Sequence, residues 1–273
     1  MLGLRAGRAA GAAGDPSVIG TTGPDLQSPR ARSRATPGRW RAAAPGPAHL
    51  TPADPRPRSV PPVGDEGQRA WWGLTGGVAA VCVVVQVVLA ATSGEPGVGT
   101  RLVRSLSYFT IDTNVLVAVL GLLVAARPDR TGPWWRALRL GAPVCAVVVG
   151  LVYHVELRQQ GLTGIDLVLD TGLHYVVPVL ALLGWLFATP RGLADAGAAL
   201  RALVYPVLWL VWTFAHGAAT GWYPYPFLDV SAKGAAGAGV GVGLVALLLS
   251  ALATAAVAGD RAVARRRPPA PHG

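Results

Sequence analysis

One apolar stretch, residues 166–189, combines the length of a membrane-spanning helix with ionisable side chains near its start. Its centre reads Asp170-Thr171-Gly172-Leu173-His174-Tyr175-Val176-Val177-Pro178. In a helix, Asp166, Asp170 and His174 recur every four residues and lie on one face. The carboxylate of Asp170, one turn before His174, would fix the tautomer of the imidazole and raise its basicity. Because ionisable groups are costly in lipid and usually face a cavity or a partner, this face predicts a functional site.

The chain around this stretch has the composition of a membrane protein. Its 273 residues are 52% hydrophobic and only 14% charged, whereas a soluble domain carries about a quarter charged residues. Six apolar segments are long enough to span a bilayer: residues 70–92, 108–126, 136–155, 171–189, 201–219 and 235–258. We therefore predict an all-α polytopic membrane protein with six transmembrane helices.

The arginines between these segments predict the orientation. If the N-terminus is cytoplasmic, the cytoplasmic loops and tail hold Arg127, Arg130, Arg136, Arg191, Arg201, Arg261 and Arg265-Arg266-Arg267. The opposite loops hold fewer basic residues, and acidic residues offset them. The positive-inside rule therefore predicts both termini in the cytoplasm of a multi-pass protein of the cell membrane. This distribution accounts for the formal net charge of +10 without a nucleic-acid partner.

The two ends of the chain lack apolar segments. Residues 1–69 are rich in Arg, Pro and Ala, cannot bury enough apolar surface to order, and are predicted to be a disordered cytoplasmic tail. A misplaced start, with the true start at Val60 or Val63, is an equal alternative. Residues 259–273 are predicted to be a basic cytoplasmic tail. The preference for Arg, with Lys233 the single lysine, is typical of a GC-rich, for example actinobacterial, genome.

Polar residues of four helices are predicted to gather in the outer half of the bilayer. They are Tyr108, Thr110, Thr113, Asn114, His154, Asp170, His174, Trp212 and His216. Most have an ordinary alternative: a threonine bonds its own backbone, an asparagine joins helices, and a histidine near the interface faces water. His174, preceded by Asp170, is the residue for which a functional role is favoured. A metal site from the three histidines lacks a motif, and no metal is predicted.

The last outer loop, residues 221–229, is aromatic and contains two prolines. Trp222 and Tyr225 fit an interfacial aromatic belt; a rigid lid over the polar pocket is the alternative. The sixth helix opens with glycines, and Gly237 and Gly241 form a small-residue stripe. Such a stripe allows two helices to approach closely. Packing of this helix within the chain is favoured over packing in a homo-oligomer.

Four motifs together resemble a known family. They are Tyr108-Phe109-Thr110-x-x-Thr113-Asn114, His174-x-x-x-Pro178, Tyr205-Pro206 followed by Trp209 and Trp212, and Gly221-Trp222-Tyr223-Pro224-Tyr225-Pro226-Phe227-Leu228. Their order over residues 70–258 resembles the bacterial Pr-six-Pr membrane proteins. More distantly it resembles the androgen-induced family of multi-pass hydrolases, which cleave fatty acid esters of hydroxy fatty acids. The resemblance implies a threonine nucleophile at Thr110 and a histidine base at His174. This sequence departs from the family pattern at two positions. Its His-to-Pro spacing is one residue shorter than in the animal branch, and Gly184 stands where relatives commonly have an acidic residue.

The chemistry of an ester hydrolase fits these residues. A threonine alkoxide needs an adjacent base, which His174 oriented by Asp170 would supply. Asn114 or Tyr108 would donate to the ester oxygen, with Thr113 nearby. The pocket is predicted to be lined by His154, Trp212, His216, Trp222 and Tyr225. No cofactor motif is present, and none is predicted.

Three functions remain open. The favoured one is hydrolysis of a membrane-lipid ester. The alternative is a non-enzymatic membrane protein that binds or transports a small amphiphile in the same pocket. A proton-coupled transporter with Asp170 and His174 as a relay is third, because the sequence shows no inverted repeat.

Overall fold

The computed structural model of the protein describes residues 64–266, of which 82% are helical. This range contains no β-strand. The α-helices are α1 (Asp65–Thr92), α2 (Val98–Leu106), α3 (Phe109–Ala126), α4 (Pro133–Val152), α5 (Gly164–Thr171), α6 (Val177–Phe187), α7 (Ala196–Ala202), α8 (Val204–Thr220) and α9 (Val230–Arg265). A π-helical turn, Tyr153–Leu157, extends α4, and a second one, Gly172–Val176, joins α5 to α6. A 3₁₀ turn, Pro226–Leu228, precedes α9.

Six helical segments of this range are long and apolar enough to cross a membrane. They are Asp65–Thr92, Phe109–Ala126, Pro133–Leu157, Gly164–Phe187, Ala196–Thr220 and Val230–Arg265. Large apolar side chains on their outer surface, such as Val84, Leu208 and Leu247, are at least 60% exposed. Such a surface is unfavourable in water and suits lipid. The predicted all-α class with six long apolar helices is confirmed, as expected of a multi-pass membrane protein; its sidedness stays a prediction.

The first long helix begins inside the predicted tail. α1 starts at Asp65, and Gln68 is already buried. The side-chain amide of Gln68 and the indole N–H of Trp72 both donate to the carbonyl oxygen of Ala188, over 2.9 and 3.1 Å. They satisfy a carbonyl at the end of α6 that has no partner within its own helix. The predicted disorder of the preceding tail lies outside the described residues.

The last helix continues to Arg265, past the predicted end at 258, because Asp260 is part of the packed structure. Asp260 is 2% exposed. One of its oxygens accepts from the backbone N–H groups of Gly192 and Ala194, each over 2.9 Å, and the other lies 3.9 Å from Arg191. We call these four residues the Asp260 network. It ties α9 to the segment between α6 and α7.

Close packing of α1 on α3 forms the centre of the bundle. Gly76 and Gly121 face each other, and a Cβ at Gly76 would lie 2.9 Å from the backbone nitrogen of Leu122. Glycine at both positions lets the two backbones approach directly. Around this contact, a buried apolar cluster that includes Trp72, Val117 and Leu120 joins α1 and α3 to α4 and α6.

The glycine-rich start of α9 packs partly within the chain. Gly234 has a positive φ of 67° and interrupts the helix after its first turn. A Cβ at Gly241 would lie 2.6 Å from the carbonyl oxygen of Phe227, so this glycine admits the 3₁₀ turn against the helix. A Cβ at Gly239 or Gly243 would meet no described atom within 4 Å. The predicted preference for internal packing therefore fits Gly241, while a role in a homo-oligomer stays a prediction.

Candidate functional site

A cavity of about 1100 Å³ lies at the end of the bundle where α1 ends and α3 begins. Residues of α1, α2, the start of α3, the turn after α4, α5 and the loop before α9 line it. Its wall contains apolar side chains, such as Leu89 and Ile111, beside charged ones. We call this structure the cavity and refer to this end of the bundle as the cavity end.

Thr110 lies in the wall of the cavity, in the first turn of α3, and is 7% exposed. Its hydroxyl oxygen is 3.5 Å from Nε2 of His174 and 3.4 Å from the hydroxyl oxygen of Tyr225. The backbone N–H of Thr110 donates to the same tyrosine oxygen over 3.3 Å. A residue at the start of α3, one of the second π-helical turn and one of the loop before α9 therefore meet at one point.

The ring of His174 is held in one tautomer. Its Nδ1 is 3.0 Å from the backbone oxygen of Asp170 and 3.2 Å from the carboxylate oxygen Oδ1 of the same residue. Both atoms are acceptors, so the neutral imidazole carries its proton on Nδ1 and presents the lone pair of Nε2 to Thr110. The ring of Tyr153 stacks on the imidazole at a centroid distance of 3.8 Å.

The two π-helical turns bring these groups together. His174 lies in one and Tyr153 in the other, and such turns replace the usual i to i−4 bonds and rotate the following side chains. Gly150 allows the helix before the first turn to approach the second, because a Cβ there would lie 3.0 Å from the backbone oxygen of His174. Asn114 donates its amide to the backbone oxygens of Thr110 and Leu173, over 2.8 and 3.3 Å, and joins α3 to the second turn.

The loop before α9 covers one side of the cavity with aromatic rings. Tyr225 is buried and stacks on Phe227, and Tyr108 contacts the rings of both Tyr225 and Trp222 edge to face. Burial raises the pKa of Tyr225 to about 12. Burial also raises the pKa of Tyr108, and the positive charge of Arg104 partly opposes this change. Both phenols are therefore protonated at neutral pH.

Two of the charged side chains that line the cavity, both arginines, contact other groups of the protein. The guanidinium of Arg101 donates to the backbone oxygens of Ala90, Ala91 and Pro96, over 2.8, 2.9 and 2.5 Å, and caps the end of α1. Arg104 lies over the ring of Trp222. Four acidic residues also line the cavity: Glu156, Asp166, Asp170 and Asp229. The hydroxyl of Ser231 and two backbone N–H groups hold the pKa of Asp229 below its usual range.

Two predicted supporting residues on α3 have their polar groups engaged in other contacts. The hydroxyl of Thr113 is paired with that of Tyr205 over 2.9 Å. The amide of Asn114 is used between helices, so it is not available as a donor to a substrate oxygen. Tyr108 lines the cavity, as does Asp166.

Four residues predicted to line the pocket lie outside the cavity. His154 is exposed and pairs with the hydroxyl of Tyr175, because the first π-helical turn directs Tyr153 inward in its place. Trp212 lines a separate apolar groove of about 450 Å³ and donates to the hydroxyl of Ser107. His216 stacks on Trp212 and packs edge to face with Trp222. Tyr225 is the member of this set that lines the cavity.

The three histidines considered for a metal site are held apart by these contacts. Across residues 64–266, no group of three or more His, Cys, Asp or Glu side chains is arranged to hold a metal ion.

Two contacts of this site, those of Tyr153 and Tyr225, do not follow from the sequence pattern. Tyr153 lies at the end of the predicted segment 136–155, and its ring stacks on the imidazole of His174; the only signal in the sequence is its aromatic ring. The contact of Tyr225 with Thr110 joins positions 115 residues apart, and no local pattern encodes it.

Comparisons of this chain with protein-family models, with curated proteins and with solved structures found no match. The helices and the site define a class: a multi-pass membrane protein with six long apolar helices and a polar cavity at one end of the bundle.

Proposed function

We propose that the protein is a membrane-embedded hydrolase of amphiphilic carboxylic esters, with Thr110 as nucleophile and His174 as base. The observation that supports this proposal is the hydrogen-bonded series from the hydroxyl of Thr110 through His174 to Asp170 in the wall of the cavity. A hydroxyl, a base and a group that orients the base are the three parts that activate an alcohol nucleophile.

The reaction follows from this order. Nε2 of His174 takes the hydroxyl proton of Thr110 while the threonine oxygen forms a bond to the ester carbonyl carbon. The carbonyl electron pair moves to its oxygen, then returns as the bond to the alcohol breaks, and His174 gives its proton to the leaving alkoxide. Water repeats the sequence on the acyl-threonine, and the products are a carboxylic acid and the free enzyme. Asp170 stabilises the imidazolium in both halves of the reaction.

An ester with a long apolar part fits the surroundings of these groups. The cavity is lined by apolar side chains, such as Leu89 and Leu169, as well as by His174. Under the predicted topology, it would lie in the outer half of the cell membrane, at the depth where the ester groups of membrane lipids are found. The resemblance to the Pr-six-Pr and androgen-induced families points to the same pair of residues, and we include membership of the former in the proposal.

One observation favours the second candidate function, non-enzymatic binding or transport of an amphiphile. The distance of 3.5 Å between the hydroxyl of Thr110 and Nε2 of His174 is at the outer limit of a hydrogen bond. In an enzyme this contact shortens when substrate binds; in a binding protein it has no need to shorten.

A covalent probe separates the two candidates. Purified protein in detergent is incubated with a long-chain alkyl fluorophosphonate, and the rate of labelling is compared among wild type, Thr110→Ala, His174→Ala and Thr75→Ala. Thr75 is a matched control because it is also a buried threonine, and its hydroxyl bonds the backbone oxygen of Trp71 within α1.

The hydrolase predicts a labelled wild type and Thr75→Ala, no label on Thr110→Ala, and labelling of His174→Ala slower by roughly 10²–10⁴-fold. Thermal unfolding of each variant shows that it is folded. A folded wild type without label, or Thr110→Ala labelled at the wild-type rate, would contradict the hydrolase and leave amphiphile binding as the better account.

A further inference from the structure

Tyr225 is in contact with the proposed nucleophile but has no part in the proton transfers described above. Its hydroxyl oxygen lies 3.4 Å from that of Thr110 and accepts the backbone N–H of the same residue. Tyr225 is 8% exposed. A buried phenol held by two groups of one residue is a positioned hydrogen-bond donor or acceptor, and its direction can be assigned.

The direction follows from the neighbours of the phenol. The hydroxyl of Thr110 must donate its own proton to Nε2 of His174, since that nitrogen is the acceptor of the ring. The oxygen of Tyr225 already accepts from the backbone of Thr110. The phenolic proton therefore points to the oxygen of Thr110, or to a substrate atom that lies next to that oxygen.

When the threonine oxygen attacks an ester, negative charge develops on the former carbonyl oxygen, which is adjacent to the new bond. We propose that Tyr225 donates its hydroxyl proton in a hydrogen bond to this oxyanion and is thus a catalytic residue. The proposal rests on the hydrolase function above and adds the donor that this function requires.

The other predicted donors are less suited to this role. The amide of Asn114 is used by two backbone oxygens, and Tyr108, at 36% exposed, has no contact with Thr110 among the hydrogen bonds of the described residues. The pKa of Tyr225, raised by burial to about 12, keeps the phenol protonated and able to donate at neutral pH. Its ring is fixed by stacking on Phe227 and contact with Tyr108, so little reorganisation is needed during the reaction.

Tyr225→Phe tests this role because it removes the hydroxyl and keeps the ring contacts. The matched control is Tyr175→Phe, whose hydroxyl pairs with His154 outside the cavity. For each protein, the labelling rate with the long-chain fluorophosphonate is measured against probe concentration, and hydrolysis of p-nitrophenyl octanoate is followed in parallel. Loss of one oxyanion donor predicts a fall of about 10²–10³-fold in the maximal rates. The probe concentration at half-maximal labelling should not change, and Tyr175→Phe should behave as wild type.

The structure of wild type phosphonylated at Thr110 gives a second test that does not depend on the folding of any variant. The phosphonyl oxygen in that adduct stands in for the oxyanion. The proposal predicts the hydroxyl of Tyr225 at about 3 Å from this oxygen.

The outcomes separate this inference from the proposed function. If wild type is labelled and Tyr225→Phe labels at the same rate, or the phenol lies beyond hydrogen-bond distance in the adduct, the role of Tyr225 is wrong and the hydrolase stands. If Tyr225→Phe changes only the half-maximal concentration, the residue binds substrate and does not stabilise the oxyanion. If folded wild type takes no label, both proposals are overturned.

Discussion

The two ends of the bundle bury ionisable groups in different ways. The carboxylate of Asp260 has every contact supplied by the protein: two backbone N–H groups at 2.9 Å and Arg191 at 3.9 Å. At the cavity end, Asp170 orients His174, and the remaining nitrogen of that ring meets a hydroxyl in the wall of the cavity. The comparison shows that burial of charge does not by itself mark function. A candidate site is marked instead by a hydrogen-bonded series of buried groups that ends at a cavity.

Removal of Asp260 should have the largest effect, and on stability alone. Asp260→Ala leaves the N–H groups of Gly192 and Ala194, and the guanidinium of Arg191, without this carboxylate, a change that costs about 3–5 kcal/mol for a buried pair that loses one partner. Thermal unfolding in detergent measures the loss. Asp260→Asn retains an acceptor oxygen and should lose less. If the folded fraction of Asp260→Ala labels more slowly with fluorophosphonate than wild type does, the claim that Asp260 affects stability alone is wrong.

Asp170→Asn should affect activity more than stability. The backbone oxygen of Asp170 still holds Nδ1 of His174, so the tautomer is retained, but the negative charge that stabilises the imidazolium is lost. We expect labelling about 100-fold slower, the lower end for loss of acid–base assistance, with an unfolding temperature near that of wild type. Equal labelling rates for Asp170→Asn and wild type would show that the carboxylate has no role at the site.

Substitution of Gly241 tests the contact between α9 and the loop that carries Tyr225. A Cβ at this position would lie 2.6 Å from the backbone oxygen of Phe227, so Gly241→Ala must displace the 3₁₀ turn, at a cost of about 1–3 kcal/mol. Gly243→Ala is the matched control, because its Cβ meets no described atom within 4 Å and alanine favours the helix. Slower labelling and a lower unfolding temperature are expected for the first variant only. The same result for both variants would contradict the packing of α9 on the loop.

The smallest effect is expected at the half-exposed ion pair between Arg136 and Asp195, which joins α4 to the start of α7 over 2.8 Å. Solvent screens this pair, so Asp195→Asn, which removes the charge and keeps the oxygen that accepts the backbone N–H of Ala198, should cost about 0.2–1 kcal/mol. The difference from wild type should shrink as salt is added to the unfolding assay. A salt-independent loss of several kcal/mol would mean that this pair belongs with the buried contacts of the Asp260 network.

The long apolar segments could be predicted from the sequence because each one carries its own signal. Hydropathy over about 20 residues identifies a membrane helix whatever its neighbours are. The predicted positions of the helix ends are less accurate. Asp260 and Gln68 read as tail residues, yet both are buried through contacts with the segment around Ala188 and Gly192, which no local pattern reveals.

The site was predictable where its geometry is local. Asp170 and His174 are one helical turn apart, and the structure has them in contact. The outward position of His154 depends instead on rotation about the helix axis. A π-helical turn shifts that rotation, so that Tyr153 faces His174 and His154 faces outward. The roles of all these residues stay predictions.

The site of covalent modification is the measurement that decides between the two functions. Wild type labelled with the long-chain fluorophosphonate is digested, and the modified residue is identified by peptide mass spectrometry. Ser105 gives an internal comparison, because this residue also lines the cavity, and its buried hydroxyl has no hydrogen-bond partner among the described residues. The hydrolase predicts stoichiometric phosphonylation of Thr110 and none of Ser105. An adduct on Ser105 in place of Thr110, or no adduct on folded protein, would contradict it.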